Sequence, residues 1–311
     1  MLNIKLSFKP ILQAAVITSI AEAVVHIAEA LRTASTKPTG TDNALGDHQL
    51  AADVIADEAV MEALRRSGRV ATASSEERPE DIALGGQGFA VAYDPLDGSS
   101  VIPAGWAVGS IFGVWPGAAL LGRTGAEQAA AVYAVYGPRT ILILARGIGA
   151  GAPLCQEFEL HTDAGEWLLV RDRIELRDGV KYFAPANLRS SADNAAYRAL
   201  IDGWLEERFT LRYSGALVPD VHHILTKGGG VFCNPTSAKA PAKLRSLYEA
   251  APLAYIVTAA GGRAEDERGD ALQRVAERHG QKVPLVLGSR DAVARCAPAM
   301  RASVAVAGDA A

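Results

Sequence analysis

The chain has 311 residues, of which 49% are hydrophobic and 21% charged, enough apolar side chains for about two folded domains and too many for an intrinsically disordered chain. A net charge of −4, with no basic stripe, argues against a nucleic-acid or membrane-surface protein. Three well-separated cysteines, Cys155, Cys233 and Cys296, make neither a disulfide framework nor a CxxC zinc site, and read as small core residues in a reducing, cytoplasmic setting.

In chain order, the pattern predicts a long first helix over 11–34. Its Glu22, His26 and Glu29 recur at near-helical spacing, so it is amphipathic and not a transmembrane span. A loop over 35–46, rich in Thr, Lys, Pro and Gly, has the composition of a surface connection able to move. Asp47 is placed to cap a second helix over 48–67, with Leu50, Val54, Ala59 and Leu64 on one face and Gly68 as its stop. A strand over 70–74 ends in Ser75-Glu76-Glu77. Another over 89–93 runs into a turn, Asp94-Pro95-Leu96-Asp97-Gly98-Ser99-Ser100. Residues 108–115 and 129–146 read as β-structure, and 158–170 as a hairpin around Asp163-Ala164-Gly165. Helices over 194–208, 219–227, 243–260, 267–279 and 291–299 then alternate with strands over 231–233 and 285–287. The change of pattern puts a boundary near Gly179, giving a domain over 1–178 and a second over 179–311. Trp106 and Trp115 read as core or interface anchors, and the adjacent His222 and His223 as ordinary surface or core histidines.

Acidic residues gather at strand ends: Glu76 and Glu77 after one, Asp94 and Asp97 after another. Hard divalent cations need several oxygen ligands, and carboxylates on strand-end turns supply them. Pro95 stiffens the turn so that both aspartates can converge, with the Leu96 carbonyl between them. The N–H groups of Gly98, Ser99 and Ser100 can cradle a phosphate. A metal site beside an anion site suits phosphoryl transfer. Taken singly, the same residues also describe a solvated loop, a common surface turn and, for Arg245 and Glu249, a helix-face ion pair.

Order and joint identity separate the two readings. Gly46-Asp47-His48-Gln49, Asp53, Ser75-Glu76-Glu77, the Asp94–Ser100 run and Lys243-Leu244-Arg245 with Tyr248-Glu249 resemble the class 1 fructose-1,6-bisphosphatase family over nearly the whole chain. Ile111-Phe112-Gly113-Val114-Trp115, Asn187-Leu188-Arg189 and Arg212-Tyr213-Ser214-Gly215 are closer still to its sedoheptulose-1,7-bisphosphatase branch. The resemblance implies an α/β protein built as a layered αβαβα sandwich of the sugar phosphatase type. It implies two or more Mg²⁺ ions, for which Mn²⁺ can substitute, held by Glu76, Asp94, the Leu96 carbonyl, Asp97 and Glu249. The catalytic set it implies is Asp53 and Glu77 beside the metals, Asp47 on a closing loop, and Arg245. Substrate contacts fall to Asp97, Gly98, Ser99, Ser100, Asn187, Arg212, Tyr213 and Lys243, with the family's arginine at position 212 reaching a neighbouring subunit. The implied partners are a sugar bisphosphate and further copies of the chain, as a dimer or tetramer.

The expected activity is therefore removal of the 1-phosphate from fructose-1,6-bisphosphate or sedoheptulose-1,7-bisphosphate, in carbon fixation or gluconeogenesis. An inositol- or nucleotide-phosphate phosphatase shares the carboxylates but lacks a use for Lys243-Leu244-Arg245 and Arg212-Tyr213. A non-catalytic homologue would have lost an acid, and here the set is complete. The first loop carries Ser35, Thr36 and Thr41 where plant relatives carry a redox cysteine pair, so no dithiol switch is expected there. By the resemblance, the family tyrosine that touches the distal phosphate is replaced near Asn234, in a shortened loop like that of the sedoheptulose branch. Gly88-Phe89 replaces the Lys-Tyr pair of the AMP-inhibited enzymes, so AMP is expected to inhibit weakly or not at all. Titrating activity with micromolar AMP checks this, and strong inhibition refutes it.

Overall fold

The computed structural model describes residues 14–33, 38–42, 48–78, 80–161 and 165–302. The first helix, α1 (Ala14–Ala30), precedes a small antiparallel pair, β1 (Pro38–Asp42) and β2 (His48–Leu50), and then α2 (Ala51–Arg66). A large sheet follows: β3 (Val70–Ser75), β4 (Ile82–Ala83), β5 (Phe89–Asp97), β6 (Val108–Pro116), β7 (Ala130–Tyr136), β8 (Thr140–Arg146), β9 (Leu154–His161) and β10 (Glu166–Arg171), in spatial order 10-9-8-7-6-5-3-4. All its pairings are antiparallel except β3 with β5. The second half contributes β11 (Tyr182–Pro185), α3 (Ala195–Glu206), β12 (Thr210–Leu211), α4 (Leu217–Lys227), β13 (Val231–Asn234), α5 (Ala251–Ala259), β14 (Arg263–Asp266), β15 (Gly269–Asp270), β16 (Leu285–Gly288) and α6 (Arg290–Ala302). Its strands form a second sheet in the order 12-11-13-16-14-15.

Five layers result, because each sheet is apolar on both faces and must be covered twice. On β7, Ala130, Val132 and Ala134 face α1 and α2, while Ala131, Tyr133 and Val135 face α4 and α5. Leu285 and Leu287 of β16 meet that same middle layer, whereas Val286 turns outward to α3 and α6. The order is α1/α2, large sheet, α4/α5, second sheet, α3/α6, as the family resemblance implied. Cys155, Cys233 and Cys296 are all buried and unbridged. Among the described residues, no helix is long and apolar enough to cross a membrane.

Several expectations need correction. Residues 48–50 form a strand, so α2 begins later and is capped from within: the Leu50 N–H donates to Asp53 Oδ2 at 2.6 Å. Asp47, expected as the cap, lies outside the described residues, as do Asp163 and Ala164 between β9 and β10. Residues 94–97 are not a free turn. They continue β5, and a bulge there sets Asp94 opposite Ile111 and Asp97 opposite Gly109. No single helix spans 243–260: Arg245 pairs with Lys282, residues Ser246–Ala250 form a π turn, and α5 starts only at Ala251. The helix expected over 267–279 is absent, because Asp266 Oδ1 accepts from the Arg268 and Gly269 N–H groups and folds the chain into a β14–β15 hairpin. Arg274 then closes onto Asp266 and Glu267. Trp115 is buried, while Trp106 is 54% exposed. His222 is half-buried and meets the Tyr133 hydroxyl at 3.0 Å, and loss of solvent around the ring lowers its pKa to about 4.

The contact between β5–β6 and α4 positions everything that follows. Gly98, at φ 79°, lies against Ala216, where a Cβ would come within 2.4 Å of the Ala216 Cβ. A Cβ on Gly109 would meet Val218 Cβ at 2.4 Å and the Ala134 carbonyl oxygen at 2.8 Å. Gly109→Ala should therefore destabilise the fold by about 1–3 kcal/mol, the usual range for overpacking. Thermal unfolding measures it, and an unchanged Tm would contradict this packing.

Candidate active site

The β5 bulge places Asp94 and Asp97 on one side of the strand end, and both are buried. The π turn before α5 adds Glu249, also buried. One carboxylate oxygen from each of these three lies within 4.8 Å of the others. Leu96 is buried between the aspartates, and its N–H donates to Asp94 Oδ1 at 2.9 Å. Asp97 accepts from the Leu217 and Val218 N–H groups at 3.2 and 2.6 Å, the first turn of α4, where the helix dipole favours a negative group. Glu249 accepts from the Arg245 N–H at 2.5 Å. The Arg245 guanidinium reaches Glu76 at 3.0 Å.

The electrostatics are those of anions crowded out of water. Burial, then Glu76, Asp97 and Glu249, push Asp94 well above the ordinary carboxylate range. Burial and Glu76 do the same to Glu249. Asp97 rises to about 6 through burial, against the two α4 amides that favour its charged form. The donor set of three buried, mutually repelling carboxylates fits a hard divalent cation, which needs oxygen ligands and removes the repulsion.

A second group sits beside the first. Asp53 rises to about 6, chiefly through burial, with Glu77 adding repulsion and the Leu50 N–H and the Ser99 hydroxyl favouring the ionised form. Asp53, Glu77 and Ser99 are thus brought together, although they lie on α2, after β3 and after β5. Ser99 and Ser100 open a short 3₁₀ turn, Ser99–Ala104, behind the left-handed Gly98. Ser74 and Tyr248, side by side at 3.0 Å, tie β3 to the π turn.

Next to the carboxylates lies a cavity of about 390 Å³. Its walls include Leu217 and Lys243, the Asn187-Leu188-Arg189 run, Tyr213 and Asn234. Asn187 holds a left-handed backbone at φ 48°, and its Nδ2 donates to the Pro235 and Ala240 carbonyls, both at 2.8 Å. Arg212 is not brought into this cavity. Its Nη1 donates to the Leu211 carbonyl and its guanidinium sits 5.9 Å from the Tyr182 ring centroid. Sequence reasoning gave no role to Asp220, a buried wall residue that accepts from the Ser214 and Gly215 N–H groups at 2.7 and 3.2 Å. Its place in the first turn of α4, a few residues after Ser214-Gly215, was the available signal.

Residues 9–172 match the model of the fructose-1-6-bisphosphatase N-terminal domain, and residues 176–301 that of its C-terminal domain. A chloroplastic sedoheptulose-1,7-bisphosphatase from Chlamydomonas reinhardtii is 49% identical over 79% of this chain, which spans 62% of the length of that relative. A class 1 fructose-1,6-bisphosphatase from Pelobacter propionicus is 37% identical over 90% of this chain and 86% of its own. Among solved structures, that of a putative sedoheptulose-1,7 bisphosphatase from Toxoplasma gondii superposes with a TM-score of 0.86 at 36% identity, covering 93% and 94% of the two chains. Leishmania major fructose-1,6-bisphosphatase in holo form gives 0.84 at 32% identity, covering 91% and 92%.

Carboxylates whose proton affinity is raised by burial and then by mutual repulsion give up protons when they accept a cation, so ion binding and pH are linked. Between the ordinary carboxylate pKa and the raised one, the folded state binds more protons than the unfolded state, and metal-free stability from these groups falls as pH rises. The gain in Tm on adding Mg²⁺ over EDTA should therefore be larger at pH 8 than at pH 5.5. The difference cancels the opposing contribution of His222, which is common to both conditions. A gain independent of pH would rule this linkage out.

Proposed function

The chain belongs to the fructose-1,6-bisphosphatase family, and from that footing we propose that it hydrolyses the 1-phosphate of fructose-1,6-bisphosphate, of sedoheptulose-1,7-bisphosphate, or of both, with Mg²⁺ as its metal. The observation that carries the reading is a buried carboxylate cluster opening beside a cavity with cations on its wall. In it, Asp94, Asp97 and Glu249, with Glu76 and the Leu96 carbonyl, hold the metal. When bound there, Mg²⁺ supplies charge neutralisation at the phosphoryl oxygens and a lowered pKa of bound water.

The protein groups then divide the work. Asp53 and Glu77 accept the proton of the attacking water, and a carboxyl poised near 6 is well matched to that task around neutral pH. Ser99 orients Asp53 through its hydroxyl, while the amides after Gly98 receive the 1-phosphate. Arg245 moves its charge from Glu76 toward that phosphate. Lys243 reaches the sugar, and Tyr213 and Asn187 line the distal part. Asp47, outside the described residues, is the acid that the family resemblance assigns to a closing loop. Arg212, lying outside its own cavity, serves a second copy, which makes the working unit a homo-oligomer. The three free, buried cysteines suit a reducing cytoplasm, and carbon fixation or gluconeogenesis would use either reaction.

Phosphate release with Mg²⁺ from both sugar bisphosphates and from inositol 1-phosphate, with an EDTA control, tests the proposal. Activity on either bisphosphate, abolished by EDTA, is expected; activity on inositol 1-phosphate alone would overturn it. Asp97→Asn should lower kcat by about a hundredfold or more, the counterpart of roughly 3 kcal/mol of transition-state stabilisation. Wild-type turnover in that variant would remove Asp97 from the metal set.

A further inference from the structure

Resting on the bisphosphatase reading above, we infer that Arg189 is the chain's own cation for the phosphate remote from the reacting one, and so a substrate-binding and specificity-determining residue. A second phosphate dianion needs strong donors, and the planar guanidinium fork matches phosphate oxygens two at a time. The residues expected to supply those donors are largely committed elsewhere. Both Nδ2 protons of Asn187 go to the carbonyls of Pro235 and Ala240. The Arg212 guanidinium lies over Tyr182, outside the cavity of its own chain. Asn234 is a neutral side chain.

Among the described residues that line the cavity, the cations are Lys243 and Arg189. Lys243 stands two residues before Arg245 and Leu217 donates to Asp97, so that part of the wall adjoins the carboxylate cluster. Arg189 comes instead from the β11 end, on a 3₁₀ turn, Leu188–Ala192. Its side chain forms no hydrogen bond or ion pair among the described residues, and it is solvent-accessible. Its base is fixed from both sides. Asn187 is clamped to the 235–240 loop, and the buried Ser190 donates its N–H to the Asn187 carbonyl at 2.8 Å. The guanidinium lies close enough to Tyr213 to offset part of the upward push that burial and Asp220 exert on that phenol. Arg189 and the Tyr213 hydroxyl together offer a cation and a neutral donor to one anionic group.

The test compares wild type, Arg189→Ala and Arg189→Lys as full chains with Mg²⁺. Kinetics are measured on fructose-1,6-bisphosphate, on sedoheptulose-1,7-bisphosphate, and on fructose 1-phosphate, which lacks the distal group. Arg189→Ala should raise KM for the bisphosphate that wild type turns over by about tenfold or more. Its kcat should stay within about twofold, and its constants for fructose 1-phosphate should not change. Arg189→Lys should recover part of the loss. An unchanged KM, or an equal loss on fructose 1-phosphate, overturns the assignment. Calorimetric binding of fructose 6-phosphate gives a readout free of turnover: about tenfold weaker binding in Arg189→Ala sustains the role, and equal binding refutes it. Wild type inactive on every sugar phosphate would count against the parent reading, while the calorimetry would still decide Arg189.

Discussion

Mutual repulsion of buried carboxylates is the constraint around which this molecule is arranged. Asp94, Asp97 and Glu249 are held with oxygens within 4.8 Å of one another, out of bulk water, at a cost that apolar packing elsewhere must offset. No single element could hold them. Asp94 and Asp97 need the β5 bulge, Glu249 needs the π turn, and Asp97 needs the two free N–H groups at the head of α4. Those parts come from opposite halves of the chain, so the cluster exists only when the middle helical layer is docked on the large sheet. Gly98 and Gly109 permit that docking, because α4 approaches closer than any Cβ would allow.

Much of this was legible in the sequence because the chemistry is concentrated in short runs. Asp94-Pro95-Leu96-Asp97-Gly98-Ser99-Ser100 and Lys243-Leu244-Arg245 carry the site in two stretches, and their order announced the layered fold. What the sequence hid was in part a long-range pairing and in part local capture of backbone groups by side chains. Residues 94–97 look like a turn because Pro, Asp and Gly favour turns, yet pairing with β6 keeps them in a strand. Residues 267–279 look helical, but Asp266 captures two backbone N–H groups and Arg274 closes onto its neighbours. Leu50 replaces the expected cap because Asp53, three residues on, offers its carboxylate to the Leu50 N–H. In the last two cases a side chain competes locally with the regular backbone pattern, and in the first a partner strand decides; hydrophobic periodicity registers neither.

The cavity beside the cluster shows a division of labour that residue type alone would not reveal. Asn187 and Asp220 are polar wall residues, yet both spend their strongest groups on backbone, Asn187 on the 235–240 loop and Asp220 on Ser214 and Gly215. They shape the wall. Tyr213, Lys243 and Arg189 also line the cavity, and among the described residues their side chains make no such hydrogen bond. Polar residues that build a pocket and polar residues that face its contents are told apart only by where each hydrogen bond goes.

Leu217 belongs to two sites at once. Its N–H donates to Asp97, and the residue itself walls the cavity. A displacement of this peptide by a guest in the cavity alters the field at Asp97, and a cation drawing on Asp97 alters the wall that the guest meets. Such a shared element makes the two occupancies thermodynamically reciprocal: whatever free energy one lends to the other is returned in equal measure.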